Sequence, residues 1–352
     1  MKDLNKHIVL DTYSIRQAIK IMDKGGIGFC VCLNSKEKVI GVLTDGDFRR
    51  AVLSEVSLDE PVEEIINKKF ISVQKDHNKS EIREIFADSV VQHLPVLEGD
   101  KLVDLYTEDV FFGIDNRSSR TLLSNPVVIM AGGKGKRMDP FTRILPKPLI
   151  PIGDDPIIKV IMDEFRKFGM DNFHISIKDK GQMIKAYFHD HDLPYCIQYI
   201  EENKPLGTAG SLLQLKSKLN EPFFVSNCDI IIHADYASVL DFHVQGKYDL
   251  TLVASMRHYV IPYGVCDVDN GGDLKGLKEK PEYDFLVNTG VYVLEPRILK
   301  LIPSETYFDM TDLINNIQEN GMKVGVFPVS EKSWVDVGQW EEYSNTLKDF
   351  VF

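Results

Sequence analysis

The sequence predicts an α/β domain on a mostly parallel sheet with helices on both faces, preceded by a smaller α+β module. Three observations lead there. From Pro126 onward, short apolar runs alternate with amphipathic helical stretches, the pattern of strand–helix units with parallel strands. Before that point a group of helix and strand patterns occurs twice with divergent residues, which marks an internal repeat. The chain of 352 residues is also longer than one hydrophobic core usually serves.

Composition narrows the classes. The chain is 43% hydrophobic and 27% charged, ordinary for a soluble globular protein. No apolar run approaches the ~18 residues of a membrane span, and the first residues lack the basic-then-apolar layout of a secretory signal. The five cysteines are few and scattered, so a cytoplasmic location without disulfides is expected. Cys30 and Cys32 lie in an apolar run and are expected to be buried side chains rather than a metal pair. A net charge of −12 speaks against nucleic acid as a partner but leaves room for a nucleotide held by local cations.

In the first third, Ile15 to Ile19 has helical spacing, Gly28 to Leu33 and Val39 to Thr44 read as strands, and Asn34-Ser35 marks their turn. Asp45-Gly46-Asp47 opens a second helix. The second copy runs through Ile71-Ser72-Val73, a helix from Ser80 to Phe86, strands from His93 to Leu97 and Lys101 to Tyr106, and then Thr107-Glu108-Asp109. Asp47 and Asp109 fall at matching places near a helix start, where a carboxylate or a bound anion is favoured. This organisation, and Gly41 to Asp47 above all, resembles a tandem pair of CBS domains over about residues 4–112. The resemblance implies an adenine nucleotide effector, with Thr44 and Asp47 on its ribose, and Asp109 in the second unit. Tyr106 departs from the family there, where a small hydroxyl residue is usual. A pair that only packs or dimerises and binds nothing is the alternative. Because CBS pairs stack edge to edge, a homodimer or higher homo-oligomer is expected. The expected organisation is a tandem pair over residues 1–115, a polar linker over 116–125 and a catalytic domain over 126–352.

Along that last domain, Val127 to Met130 reads as a buried strand, Ile157 to Phe168 as a helix and Phe173 to Ile177 as a strand. Gln182 to Phe188 reads as a helix, Tyr195 to Ile200 as a strand, Thr208 to Leu219 as a helix and Phe223 to Ser226 as a strand. Ligands of such sheets bind at the carboxyl ends of the strands, where the polar motifs of this chain stand. The lone histidines, His174 and His243 among them, match no motif and are expected at surface or core positions.

The first strand leads into Ala131-Gly132-Gly133-Lys134-Gly135-Lys136-Arg137-Met138. Its glycines let backbone amides approach an anion, and its three cations add charge, so the loop reads as a phosphate cradle. A P-loop needs Ser or Thr where Arg137 stands, and a dinucleotide fingerprint needs a small residue where Met138 stands. In Pro146-Lys147-Pro148 the prolines restrict where the Lys147 ammonium can go, which suits a reaction that develops charge on phosphate oxygens.

Together these motifs resemble the sugar-1-phosphate nucleotidyltransferase, or nucleotide-sugar pyrophosphorylase, family over about residues 126–340. The resemblance implies a Rossmann-like, GT-A-like fold and a role for each matching position. Ala131, Gly132, Gly133, Gly135, Lys136 and Arg137 would hold the triphosphate, with Lys136 where the family usually has Thr or Ser. Pro205 to Gly210 matches the base-binding turn, in which Gly207 leaves room for the base and Thr208 caps the following helix. Asp229 and Asp336 match ligands of magnesium, so Mg2+ is the implied cofactor. Gly264, Glu279, Lys280, Asn288, Thr289 and Gly290 match the sugar-phosphate side.

The implied reaction is in-line attack by a sugar-1-phosphate oxygen on the α-phosphorus of a nucleoside triphosphate, with pyrophosphate leaving. Positioning and charge neutralisation would carry it, through Arg137, Lys147, Lys280 and Asp229. The stretch from Tyr199 to Gly207 resembles the guanylyl-transferring branch, with Glu202 accepting from guanine, or with both Glu201 and Glu202 merely solvated. A CBS pair fused ahead of this domain resembles the guanylyltransferases that make GDP-glucosamine for legionaminic acid biosynthesis. That resemblance implies GTP and glucosamine-1-phosphate. GDP-mannose, CDP- or UDP-sugar synthesis, a nucleotide-sugar-dependent glycosyltransferase and a nucleotide-sensing regulator with an inactive catalytic domain stay open.

Overall fold

The structure is a computed structural model that describes residues 4–88, 91–107, 122–191, 193–338 and 343. The chain divides into two compact units, Met1–Arg120 and Thr121–Phe352. Asp109 and residues 116–121 of the expected linker lie outside the described residues.

In the first unit, β1 (Ile8–Leu10), α1 (Ile15–Gly25), β2 (Phe29–Leu33) and β3 (Val39–Thr44) precede α2 (Asp45–Leu53). β1 pairs parallel with β2, and β2 antiparallel with β3. The second copy has β4 (Val73–Gln74), α3 (Lys79–Asp88), β5 (His93–Glu98) and β6 (Lys101–Thr107), paired in the same senses. Each copy is thus a strand, a helix and a hairpin. Local chemistry sets the boundaries. Ser14 and Gln17 start α1 as a capping box, with Ser14 N donating to Gln17 Oε1 at 3.0 Å and Gln17 N donating to Ser14 Oγ at 3.3 Å. Gly26 ends it at φ 74. Asn34 turns the first hairpin by accepting from Lys36 N and Lys38 N through its side-chain oxygen, each at 3.0 Å. Cys30 and Cys32 are 0% exposed, and burial pushes both thiols up to about 12.

The second unit opens with β7 (Val127–Met130), a small hairpin of β8 (Pro151–Ile152) and β9 (Asp155–Pro156), α4 (Ile157–Arg166), β10 (Asn172–Ile177), α5 (Gly181–Asp190) and β11 (Cys196–Glu201). A short α6 (Gly207–Gly210), β12 (Phe223–Asn227), β13 (Ile230–Ile232), α7 (Tyr236–Gly246) and β14 (Leu250–Val260) follow. The hairpin β15 (Val265–Val268) and β16 (Leu274–Lys278), then β17 (Glu282–Leu294), α8 (Met310–Glu319), β18 (Val324–Val329) and β19 (Trp334–Asp336) complete it. The central sheet has the order β11-β10-β7-β12-β17-β14-β18. Among the described strands of this sheet, β17 alone runs against the rest.

Both faces of the sheet are covered. On one, Ile158, Ile161 and Phe165 of α4, Ile184 of α5 and Val239 of α7 join the core. On the other, Leu212 and Leu215 pack with Ile298 and with Leu313 and Ile317 of α8. The buried residues of α4 recur at three- and four-residue spacing, which is why this stretch is a helix with one apolar face. Among the described residues no helix is long and apolar enough to cross a membrane.

One expected element is replaced. Thr208 to Leu219 is not one helix but the four-residue α6 and a 3-10 turn over Ser211–Leu215. The cause is tertiary, since Ala209 N and Gly210 N both donate to Phe308 O at 3.0 Å. Gly207 and Gly210 further weaken the helix. Thr208 accordingly caps a different helix from the one expected. Its hydroxyl accepts from Met310 N of α8 at 2.8 Å, and its own N–H donates to Asp309 Oδ1 at 2.9 Å.

A buried histidine makes this unit pH-sensitive. His243 on α7 is 0% exposed, its Nδ1 lies 2.8 Å from Thr251 Oγ1, and among the described residues its Nε2 has no hydrogen-bond partner. Burial above all, with Arg297 adding to it, pushes its pKa from 6.5 down to about 4. The unfolded chain therefore takes up this proton before the folded chain does. The contribution of His243 to stability is full above pH 6.5 and is lost as the pH falls toward about 4. His243→Gln is expected to flatten the acid limb of the melting temperature over that window in calorimetry. A limb as steep as the parent's would assign the loss to other groups.

Candidate active site

The glycine loop after β7 lies directly on the Pro-Lys-Pro turn. Gly135 takes φ 63, and a Cβ there would lie 2.8 Å from Thr142 Cγ2 and 3.0 Å from Lys147 Cβ. Only glycine meets both demands. Thr142 Oγ1 donates to Gly135 O at 3.0 Å and ties the loop down. Pro146 is extended, and Lys147 opens a 3-10 turn that ends at Leu149. The Lys147 side chain is 9% exposed and ion-pairs with Asp229 Oδ2; the exposed Arg137 comes within 4.0 Å of the same oxygen.

Asp229 sits between β12 and β13, and Asp336 ends β19. Pairing of β13 with β19 sets Ile230 opposite Asp336, and Val337 N donates to Asp229 O at 3.0 Å. Gly338 closes the arrangement by donating to Asp336 Oδ1 at 2.7 Å. A Cβ on Gly338 would collide with Asp229 Oδ2 and lie 2.9 Å from both Asp336 Oδ1 and Lys147 Nζ. Two carboxylates distant in sequence thus converge on one point. Among the described residues no three His, Cys, Asp or Glu side chains form a metal group by themselves. Two hard oxygen donors fit Mg2+, which takes one or two carboxylates and completes its shell with phosphate and water.

A cleft of about 640 Å³ lies here at the carboxyl ends of β7, β10, β11 and β12. Gly132, Gly133, Gly135, Lys136, Arg137, Lys147, Glu202, Gly207, Thr208 and Asp229 all line it, together with Lys134. Ala131 is buried behind it. Glu201 and Glu202, alike in sequence, part company. Glu201 is exposed and ion-pairs with Lys185. Glu202 is held, since Ser176 Oγ donates to its Oε1 at 2.5 Å and Leu206 N donates to its Oε2 at 3.4 Å.

Thr289 and Gly290 lie in a bulge of β17 next to Asn288, where the register against β14 shifts between Leu252 and Ala254. Gly290 takes φ 88, and a Cβ there would lie 2.5 Å from Nδ2 of Asn227, a residue of the cleft. Asn288 stays exposed, accepting from Gly290 N at 3.0 Å. Thr289 is 2% exposed and its hydroxyl donates to Val253 O at 2.8 Å, so its side chain stitches the bulge. Gly264 and Glu279 adjoin, with a Cβ on Gly264 falling 3.0 Å from Glu279 Oε2. Lys280 is exposed at φ 45. The sugar-side positions do not line the 640 Å³ cleft but meet it through Asn227 and Gly290.

The cleft also contains Asn227, from the motif that ends in Asp229, and Lys178, Asp179 and Tyr307, which no motif pointed to. Asp179 Oδ2 is buried and, among the described residues, has no hydrogen-bond partner. The signal for Lys178 and Asp179 was positional, as polar residues directly after a buried strand. In the first unit, Thr44 and Asp47 serve each other as a capping box. Thr44 N and Oγ1 donate to Asp47 Oδ2 at 2.9 and 2.6 Å, and Arg50 ion-pairs with the other oxygen.

The buried pair is open to a stability test. Lys147→Met leaves the Asp229 carboxylate with only the exposed Arg137 nearby and is expected to cost roughly 3 kcal/mol in urea unfolding. Adding Asp229→Asn is expected to restore most of that loss. A loss in the double variant equal to the sum of the losses in Lys147→Met and Asp229→Asn would show that the two charges are not coupled.

The nucleotidyl transferase family matches residues 126–350, and the CBS domain family matches residues 2–54. Among curated relatives, a UTP–glucose-1-phosphate uridylyltransferase of Synechocystis sp. is 27% identical over 63% of this chain and 62% of its own length. A probable mannose-1-phosphate guanylyltransferase of Oryza sativa subsp. japonica is 28% identical over 64% of each. The bifunctional protein GlmU of Methanococcus aeolicus is 30% identical over 61% of this chain and 52% of its own length. The chain thus spans 52% to 64% of these relatives. Among solved structures, HddC from Yersinia pseudotuberculosis covers 64% of this chain and 100% of its own at 24% identity, with a TM-score of 0.52. The likeness shows the fold. With its loop, cleft and paired aspartates on that fold, and the family match over residues 126–350, this chain belongs to the nucleotidyl transferase family, with a CBS domain at its N-terminus.

Proposed function

We propose that this chain joins a nucleoside triphosphate to a sugar-1-phosphate and releases pyrophosphate. The observation that carries the reading is the convergence of Lys147, Asp229 and Asp336 on Gly338, beside a cleft lined with cations. An oxygen of the sugar phosphate attacks the α-phosphorus. The new O–P bond forms as the bond from that phosphorus to the α,β-bridging oxygen breaks, and pyrophosphate leaves with the electron pair. The nucleophile arrives ionised, so no side chain has to take its proton.

The residues divide the work. Backbone amides of Gly132, Gly133 and Gly135 cradle the phosphates, and Lys136 and Arg137 neutralise the β- and γ-phosphates. Lys147 steadies the α-phosphate. Lys280 and Glu279 hold the sugar phosphate and a sugar hydroxyl, with Gly264, Asn288, Thr289 and Gly290 shaping that side. Asp229 and Asp336 hold Mg2+, which when bound offsets the repulsion between the two phosphates. Glu202 favours GTP, because its fixed carboxylate suits the N1–H and amino group of guanine. Glucosamine-1-phosphate is the sugar substrate on the resemblance of the fused CBS pair to GDP-glucosamine guanylyltransferases of legionaminic acid biosynthesis. The N-terminal pair takes an adenine nucleotide at Thr44 and Asp47 and carries a homodimer.

The test is pyrophosphate release by the purified chain with Mg2+. GTP, CTP, UTP, dTTP and ATP are paired with glucosamine-, mannose-, glucose- and N-acetylglucosamine-1-phosphate. GTP with glucosamine-1-phosphate is expected to be strongest, and Asp229→Asn is expected to lower turnover about a hundredfold or more. Activity on another pair would replace the substrates but keep the reaction. A blank grid, repeated with AMP or ATP as effector, would point to a sugar-1-phosphate outside the grid or to a nucleotide-sensing regulator.

A further inference from the structure

We infer that Ser176 and Ser211 are positioning residues, a buried hydroxyl chain that sets the Glu202 carboxylate to discriminate between nucleobases. The inference rests on the reading of Glu202 as the base-facing group.

Ser176 on β10 and Ser211 after α6 are each 0% exposed. Ser176 Oγ lies 2.5 Å from Glu202 Oε1 and 3.1 Å from Ser211 Oγ. Each hydroxyl has one proton, and an ionised carboxylate can only accept. Ser176 Oγ therefore faces two acceptors, Glu202 Oε1 and Ser211 Oγ, and Glu202 is the nearer. The linked hydroxyls end at the cleft that Glu202 lines.

The carboxylate is confined on its other sides as well. Leu206 N donates to Oε2 at 3.4 Å, from the turn that leads into α6. A Cβ on Gly132 would lie 2.7 Å from Oε1 and 3.5 Å from Oε2, so the glycine loop passes directly over the group. Ser176 also joins that loop to the sheet, since Ala131 N donates to its carbonyl at 2.9 Å. A bend of the glycine loop and the set of the carboxylate are thus referred to one residue. A fixed acceptor rewards a base that presents N–H groups in one orientation, whereas a swinging one would adapt to several. A buried serine in the middle of an apolar strand costs desolvation unless it is hydrogen-bonded, and these two satisfy one another and the carboxylate.

The experiment measures kcat/KM for the preferred triphosphate and for the next best, on the full chain and on Ser176→Ala, Ser211→Ala and Glu202→Gln. Ser176→Ala is expected to narrow that ratio about tenfold through KM for the triphosphate, leaving KM for the sugar-1-phosphate unchanged. Ser211→Ala is expected to narrow it about threefold, and Ser176→Thr to restore it. Both rates are read on the same sample, so a lower folded fraction cancels, and Ser211→Ala stands in if Ser176→Ala does not fold. A ratio that narrows in Glu202→Gln but holds in the serine variants overturns the positioning role alone. A ratio that holds in Glu202→Gln removes the base-facing reading and the positioning role with it.

Discussion

The candidate site is organised around one buried ion pair at the carboxyl edge of the sheet. Lys147 and Asp229 come from separate segments, and either charge alone would be expensive to hold out of water. Together they are tolerated, and the requirement propagates outward. The glycine loop has to lie on the Lys147 stem, so Gly135 has no side chain and takes a left-handed conformation. The chain after β19 has to pass over both charged ends, so Gly338 has none either. Val337 N fixes the Asp229 backbone, and the same strand pair delivers Asp336. A loop, a turn and two short strands are thereby referred to one point.

The cleft also shows how little net charge says about a local field. The chain carries −12 overall, yet Lys134, Lys136, Arg137, Lys147 and Lys178 line one cavity. Clustered cations on low-dielectric walls attract anions whatever the sign of the whole. The reversed strand β17 serves the same cavity from the other side. Its bulge at Thr289 and Gly290 turns the strand so that Gly290 backs onto Asn227. Thr289 spends its hydroxyl inside the sheet to hold that bulge.

In the first unit Thr44 and Asp47 satisfy one another. Asp47 accepts from Thr44 and pairs with Arg50, which starts α2 and fixes all three side chains. A ligand there would meet a preorganised helix start. The family match covers the first copy, residues 2–54. Beyond it, a second strand, helix and hairpin are paired in the same senses.

What the sequence determined by itself is what local chemistry controls. Apolar periodicity marked β7, β10, β11 and β12 and the helices α4 and α5. Glycine and proline marked the loop and turn around Lys147, because those residues restrict the backbone wherever they stand. The divergent repeat was legible for the same reason. What only the tertiary structure decided involves partners far along the chain. The stretch after Gly207 failed to form a long helix because its amides serve Phe308 O, and Thr208 caps α8 instead of its own helix. Glu201 and Glu202 are indistinguishable by type, and their tertiary partners separate them: Lys185 at the surface for one, Ser176 and Leu206 N for the other. Lys178, Asp179, Asn227 and Tyr307 reach the cleft because strand order brings their segments together there. Hydrogen bonds and ion pairs between distant segments leave no periodic trace, so the sequence names the candidates and the fold selects among them.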